Sequence, residues 1–188
     1  EIQQQKRAHR EQLQKELDQL VINDEILMNK KKTRYISLAS AGLYRGIITI
    51  KNQNYGFIKS EEFAFDFYVS KYDFLNAMDK DEVLFSIIKT NDSVKNNSEA
   101  RVIKILNRSL KYVVGELKLK KDKCFLELED STINKRINII NAGKAKASDI
   151  VRAIITKYEA EYCEADVIDI VGNKSDIGID ITQIAIQR

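Results

Sequence analysis

The side chains best placed to do chemistry lie in two short runs, Asn54-Tyr55-Gly56-Phe57-Ile58 and Asp66-Phe67-Tyr68-Val69-Ser70. Their chemistry is stacking. Side chains at i and i+2 of a strand share one face, so Tyr55 and Phe57 stand side by side. With Tyr68 on a neighbouring strand they form a flat aromatic surface on which unpaired nucleotide bases can lie, each base worth roughly 1–3 kcal/mol. Gly56, Ile58 and Ile50 supply apolar interior on the opposite face, which turns the Tyr55 and Phe57 rings outward. Phe67 and Tyr68 alternate, and the expectation is Phe67 inward and Tyr68 outward. Lys51 and Lys59 flank this surface and are suited to phosphate oxygens, which position a strand without reading its sequence. Phe63 and Phe65, on the connection between the two runs, either extend the stacking surface or serve as packing anchors.

The rest of the composition narrows the field. A single histidine, His9, sits between Arg7 and Arg10 in a polar helical stretch, so hydrolases that need a histidine base have little to work with. Cys124 and Cys163 lack partners at metal-ligand spacing and read as reduced, packed residues. No apolar run approaches the ~18–20 residues of a membrane span, and the first twenty residues are too charged for a signal peptide, so a cytoplasmic protein is expected. The 188 residues carry 31 basic and 28 acidic groups. Residues 1–43 hold eight basic and six acidic side chains, residues 44–107 nine of each, and residues 108–188 fourteen and thirteen. Attraction for phosphate must therefore come from local clusters, chiefly Lys30, Lys31, Lys32 and Arg34, and Lys118, Lys120, Lys121 and Lys123.

The elements that must position these residues follow from periodicity. Leu13, Leu17, Leu20 and Val21 fall on one stripe of an amphipathic helix over 10–21. Ile26–Met28 and Tyr35–Leu38 read as a short hairpin. Five strands are then expected within about sixty residues: Tyr44–Lys51, Tyr55–Lys59, Phe65–Ser70, Glu82–Lys89 and Ala100–Leu106. The polar segment 90–99 is their long loop, and the set suits a small Greek-key barrel of the OB type. The pattern repeats with Tyr112–Lys120, Lys123–Leu128, Asn134–Ile140, Asp149–Tyr158 and Ala165–Val171. A mainly β protein with tandem OB barrels after a helix and hairpin is the economical reading. Its divisions are 1–43, 44–107 and 108–188. A further apolar alternation, Ile177–Ile186, runs to the end of the sequence.

Asn54-Tyr55-Gly56-Phe57-Ile58 resembles the first ribonucleoprotein motif of cold-shock domains, with Asn54 where that motif has glycine. Asp66-Phe67-Tyr68-Val69-Ser70 resembles the second, with Ser70 in place of histidine. The wider order is similar to the N-terminal region of the bacterial ribonuclease R family: helix and hairpin, Tyr44-Arg45-Gly46-Ile47-Ile48, Glu99-Ala100-Arg101-Val102, Val113-Val114-Gly115, Ala165–Gly172 and Gly178-Ile179-Asp180-Ile181. The resemblance covers essentially the whole chain. It implies that 1–43 is the C-terminal part of a winged-helix domain, with Lys30–Arg34 at the wing tip, followed by two cold-shock domains. It implies single-stranded or partly structured RNA as the partner, with the ribosome or other RNA-decay factors as further partners. It also implies magnesium held by clustered aspartates in a catalytic domain beyond Arg188. Asp79, Asp81, Asp176 and Asp180 read as turn and loop residues. Two other readings remain open at this point: a stand-alone tandem cold-shock RNA chaperone or translation-associated RNA binder, and a protein-interaction module.

Overall fold

The computed structural model describes residues 2–89, 98–120, 123–128, 133 and 135–173. A helix, α1 (Ile2–Ile22), leads into a two-stranded antiparallel hairpin of β1 (Ile26–Met28) and β2 (Tyr35–Ser37). Leu17, Leu20 and Val21 are half-buried while Leu13 is exposed, so the expected stripe is covered only at its C-terminal end. The Tyr35 hydroxyl donates to Asp18 Oδ1 at 3.0 Å and ties hairpin to helix.

Five strands then close a barrel: β3 (Leu43–Ile50), β4 (Tyr55–Lys59), β5 (Phe67–Ser70), β6 (Glu82–Lys89) and β7 (Glu99–Asn107). The order around the barrel is β3-β4-β5-β7-β6. The pairings are antiparallel except β5 with β7, whose parallel contact closes the circle. A second barrel repeats the arrangement with β8 (Tyr112–Lys120), β9 (Lys123–Glu127), β10 (Arg136–Asn141), β11 (Asp149–Tyr158) and β12 (Tyr162–Asn173), again closed by one parallel pair, β10 with β12. These are tandem barrels of the OB type, and closure removes the exposed edges that an open sheet of this size would present. The expected segment Ile177–Ile186, with Asp176, lies outside the described residues, as do residues 90–97 of the long loop.

Strand alternation fills each interior. In the first barrel Ile48, Ile58, Phe67, Val69, Val83, Phe85, Ala100 and Val102 point inward; in the second Val113, Leu117, Leu126, Ile137, Val151, Ala153, Cys163 and Ala165 do so. Gly46 and Gly115 occupy equivalent places in β3 and β8. A Cβ on Gly46 would stand 2.7 Å from the Lys59 carbonyl oxygen, and one on Gly115 would stand 2.6 Å from that of Glu127. Both barrels therefore use a glycine to bring the first strand against the second, a structural signature of the repeat.

Leu84 faces out from the first barrel between inward Val83 and Phe85, yet it is only 3 % exposed. Its register neighbours are Arg45 on β3 and Lys104 on β7. Arg45 Nη2 donates to the Asn23 carbonyl at 2.7 Å, and Lys104 Nζ pairs with Asp24 at 2.7 Å. The turn after α1 is thus clamped over Leu84, which docks the N-terminal segment on the barrel wall.

The barrels are joined through Asp81, which is fully buried. Its Oδ2 accepts from Met78 N at 2.9 Å and from Arg108 Nη1 at 2.7 Å, and its Oδ1 accepts from Ser109 N at 2.9 Å. Arg108 also donates to the Asn76 carbonyl at 2.9 Å and lies 4.0 Å above the Tyr158 ring, whose hydroxyl donates to the Leu110 carbonyl. Burial holds the Tyr158 phenol above its ordinary pKa. Met78, from the first barrel's β5–β6 connection, packs into the core of the second. Replacing Asp81 with Ala strands a guanidinium and two backbone N–H groups. The expected loss is about 3 kcal/mol of unfolding free energy in urea titrations followed by circular dichroism; a loss below about 1 kcal/mol would refute the role given to this carboxylate.

Candidate nucleic-acid interface

The platform is built by register. On β4, Gly56 and Ile58 point inward, so Tyr55, Phe57 and Lys59 point outward; on β5, Phe67 and Val69 are fully buried and Tyr68 is 37 % exposed. Phe57 lies opposite Tyr68, and Tyr55 lies opposite Ser70. The Tyr55 and Tyr68 rings are stacked with centroids 5.9 Å apart and planes 19° from parallel. Phe57 stands edge-on to both, 5.8 Å from Tyr55 and 6.1 Å from Tyr68. Such edge-to-face contacts hold aromatic groups in place before any ligand arrives. Tyr55 and Phe57 are half-buried, largely against each other and Tyr68, and the trio forms one continuous apolar surface.

Gly56 is the residue that lets this surface sit on a closed wall. A Cβ there would stand 2.7 Å from the Thr49 carbonyl oxygen on β3, which is backbone and cannot swing aside. The turn before the strand is fixed by Asn52, whose Oδ1 accepts from Asn54 N at 2.8 Å and Tyr55 N at 3.3 Å. After β5, Ser70 Oγ accepts from Tyr72 N and caps a short 3₁₀ turn, Lys71–Asp73.

Of the other residues singled out from sequence, Lys51 and Lys59 are exposed at either end of the β3–β4 hairpin and border the trio. Phe65 is placed elsewhere. Its ring packs 5.0 Å from Phe67 and 5.9 Å from Phe63 in an aromatic cluster that also holds Tyr44 and Phe85 and closes the barrel core. Lys31, Lys32 and Arg34 are exposed on the β1–β2 turn, where Asn29 Oδ1 accepts from Thr33 N at 2.8 Å and Arg34 N at 3.3 Å. Lys118 is engaged by Glu116 and Glu127, and the hydrogen bond to Glu116 raises its pKa. Lys120 is exposed at the end of β8; Lys121 lies outside the described residues. Asp79 Oδ1 accepts from Ile50 N at 2.8 Å, a structural task like that of Asp81.

Sequence reasoning missed Tyr72, which is 85 % exposed just past β5 with Lys71 Nζ 5.1 Å above its ring. Its signal was present in the aromatic two residues beyond Ser70. It also missed Arg101, held by Asp73, and Glu99, which the parallel β5–β7 contact sets directly beside Tyr68. The described residues contain no group of three or more His, Cys, Asp or Glu side chains able to hold a metal ion.

Comparison with known proteins gives this geometry its context. Residues 46–105 match the ribonuclease B OB domain, and residues 125–187 match the cold shock domain. The chain is 30% identical over 143 residues to ribonuclease R of Ureaplasma parvum serovar 3, a match covering 74% of this chain. By both domain matches and this relative, the chain is similar to the OB and cold-shock region of ribonuclease R. It spans 19% of the length of that Ureaplasma relative. Among solved structures, ribonuclease R of Mycoplasma genitalium in its apo form has the same fold, with a TM-score of 0.57 and 21% identity over 70% of this chain and 22% of the other. The yeast pseudonuclease Ssd1 shares the fold with a TM-score of 0.59 and 15% identity over 74% of this chain and 24% of its own. The matched OB domain contains the whole aromatic trio.

Replacing Gly56 with Ala is expected to force β3 and β4 apart and cost about 2 kcal/mol of stability. Thermal melting monitored by circular dichroism measures this; an unchanged midpoint would mean that the strands have more room than the geometry gives them.

Proposed function

We propose that this chain captures RNA, mainly single-stranded, and guides it toward the metal-dependent catalytic domain of a ribonuclease R-type 3′-to-5′ exoribonuclease in the cytoplasm. One observation carries the reading: Tyr55, Phe57 and Tyr68 stand together on the outer face of a closed barrel, held by one another, with Tyr68 exposed and the other two half-buried. Exposed rings on a rigid OB wall are the means by which sequence-tolerant single-strand binders grip bases. The ribonuclease R of Mycoplasma genitalium, with the same fold, has been solved in complex with ribose methylated single-stranded RNA, which supports the same class of ligand for this chain.

In this reading residues 44–107 form the binding domain, and Lys51 and Lys59 steer phosphates at its margin. Residues 108–188 form a second cold-shock domain that serves as a channel wall and leads toward the catalytic domain. Residues 1–43 form the end of a winged helix, with the Lys30–Arg34 turn as its tip; the observed helix and two-stranded hairpin support that assignment.

The double substitution Tyr55→Ala with Phe57→Ala is expected to weaken binding of a single-stranded RNA octamer at least tenfold, about 1.4 kcal/mol, in fluorescence anisotropy titrations. A folded double variant with undiminished affinity would remove the platform from the account. Salt dependence provides a separate check. With nine basic and nine acidic side chains in residues 44–107, few phosphates are neutralised, and the slope of log affinity against log salt should correspond to fewer than about five. A steeper slope would mean that cations rather than rings dominate the grip.

A further inference from the structure

We infer that Glu99 makes the platform selective for guanosine at the position stacked on Tyr68. The inference rests on the base-stacking function proposed above and deepens it from a class of polymer to a class of base. Across the outer face of the first barrel, register aligns Thr49 on β3, Phe57 on β4, Tyr68 on β5 and Glu99 on β7. The parallel contact that places Glu99 is secured by Tyr68 N donating to the Ser98 carbonyl at 2.9 Å. Ala100 points into the core with 1 % exposure, so Glu99 points outward beside the Tyr68 ring and is half-exposed.

The antiparallel register neighbour of Glu99 on β6 is Lys89. Among the described residues no side chain forms an ion pair or hydrogen bond with it, and the outward cation two places along β7, Arg101, is held by Asp73. In the equivalent row of the second barrel, Lys118, Phe125, Asn138 and Glu164 align in the same way. There an amide replaces the second ring, and Glu164 pairs in register with Lys157 on β11 as Glu99 does with Lys89 on β6.

An ionised carboxylate offers only acceptors and repels phosphate, so the partners available to it on a nucleotide are base N–H groups. A base lying on Tyr68 turns its edge toward the neighbouring strand. Guanine presents N1–H and the N2 amine side by side, two parallel donors for two carboxylate oxygens, the bidentate geometry that strengthens charge-assisted hydrogen bonds. Uracil presents one N–H between two carbonyl oxygens, and the carboxylate opposes both. Adenine and cytosine present an amine beside a ring acceptor and satisfy one oxygen only.

The test titrates the full chain with a uridine octamer and with octamers carrying one central guanosine, inosine or adenosine. The guanosine octamer should bind at least about fivefold more tightly than all-uridine, with inosine, which lacks the N2 amine, in between. In Glu99→Gln the guanosine-to-uridine ratio should fall below about twofold. A wild-type ratio near one would overturn the inference. So would a ratio retained in Glu99→Gln, including the case in which every octamer tightens equally because only a negative charge was removed. The Tyr55→Ala, Phe57→Ala variant separates the two levels of the argument. If it loses all four octamers while Glu99→Gln leaves the ratio intact, the platform stands and the selectivity falls; if it binds all four like the wild type, both fall.

Discussion

A single buried carboxylate organises the relation between the two barrels. Asp81 has no exposed surface and spends its oxygens on Met78 N, Ser109 N and the Arg108 guanidinium, groups that belong to the β5–β6 connection of the first barrel and to the link between the barrels. A buried charge is tolerable only when paired and hydrogen-bonded, so the chain on both sides must take up the geometry that satisfies it. Arg108 is then fixed over Tyr158, and Met78 is directed into the second core. Two barrels that could have hung on a flexible linker are instead packed through a shared polar centre. The orientation of the aromatic wall relative to the second barrel is set there.

Most of the architecture was legible because β-barrels write themselves as alternation. Val83 and Phe85 against Leu84, or Gly56 and Ile58 against Tyr55 and Phe57, show a period of two that any reader of the chain can follow, and the outward trio came directly from it. Leu84 shows the limit. Its place in the alternation says exposed, while the clamp of Arg45 and Lys104 on the Asn23–Asp24 turn makes it buried. Phe65 shows another, since a ring on a connection can turn toward a core or toward a surface, and the Phe63–Phe67 cluster took it.

What sequence could not show is whatever depends on strands meeting across the barrel. Glu99 is 31 positions from Tyr68 and becomes its neighbour only through the parallel closing pair. Asp81 and Arg108 look like ordinary turn residues until the barrels are assembled. Lys118 looks like a free cation within a basic cluster until Glu116 and Glu127 are found around it. In each case the deciding contact is long-range or the partner's direction is set by tertiary packing. Family resemblance reached the overall arrangement but not these pairings, because motifs transmit residue types more readily than they transmit neighbours.

The mutual stacking of Tyr55 and Tyr68 bears on how a strand would move. Each ring already has one side occupied by a companion, so the wall offers only a few resting places, side by side and of similar depth. A polymer lying there would be restrained at several weak points rather than locked at one deep one. On the proposed reading, such a surface would act as a guide rail, keeping a strand close without locking it in place.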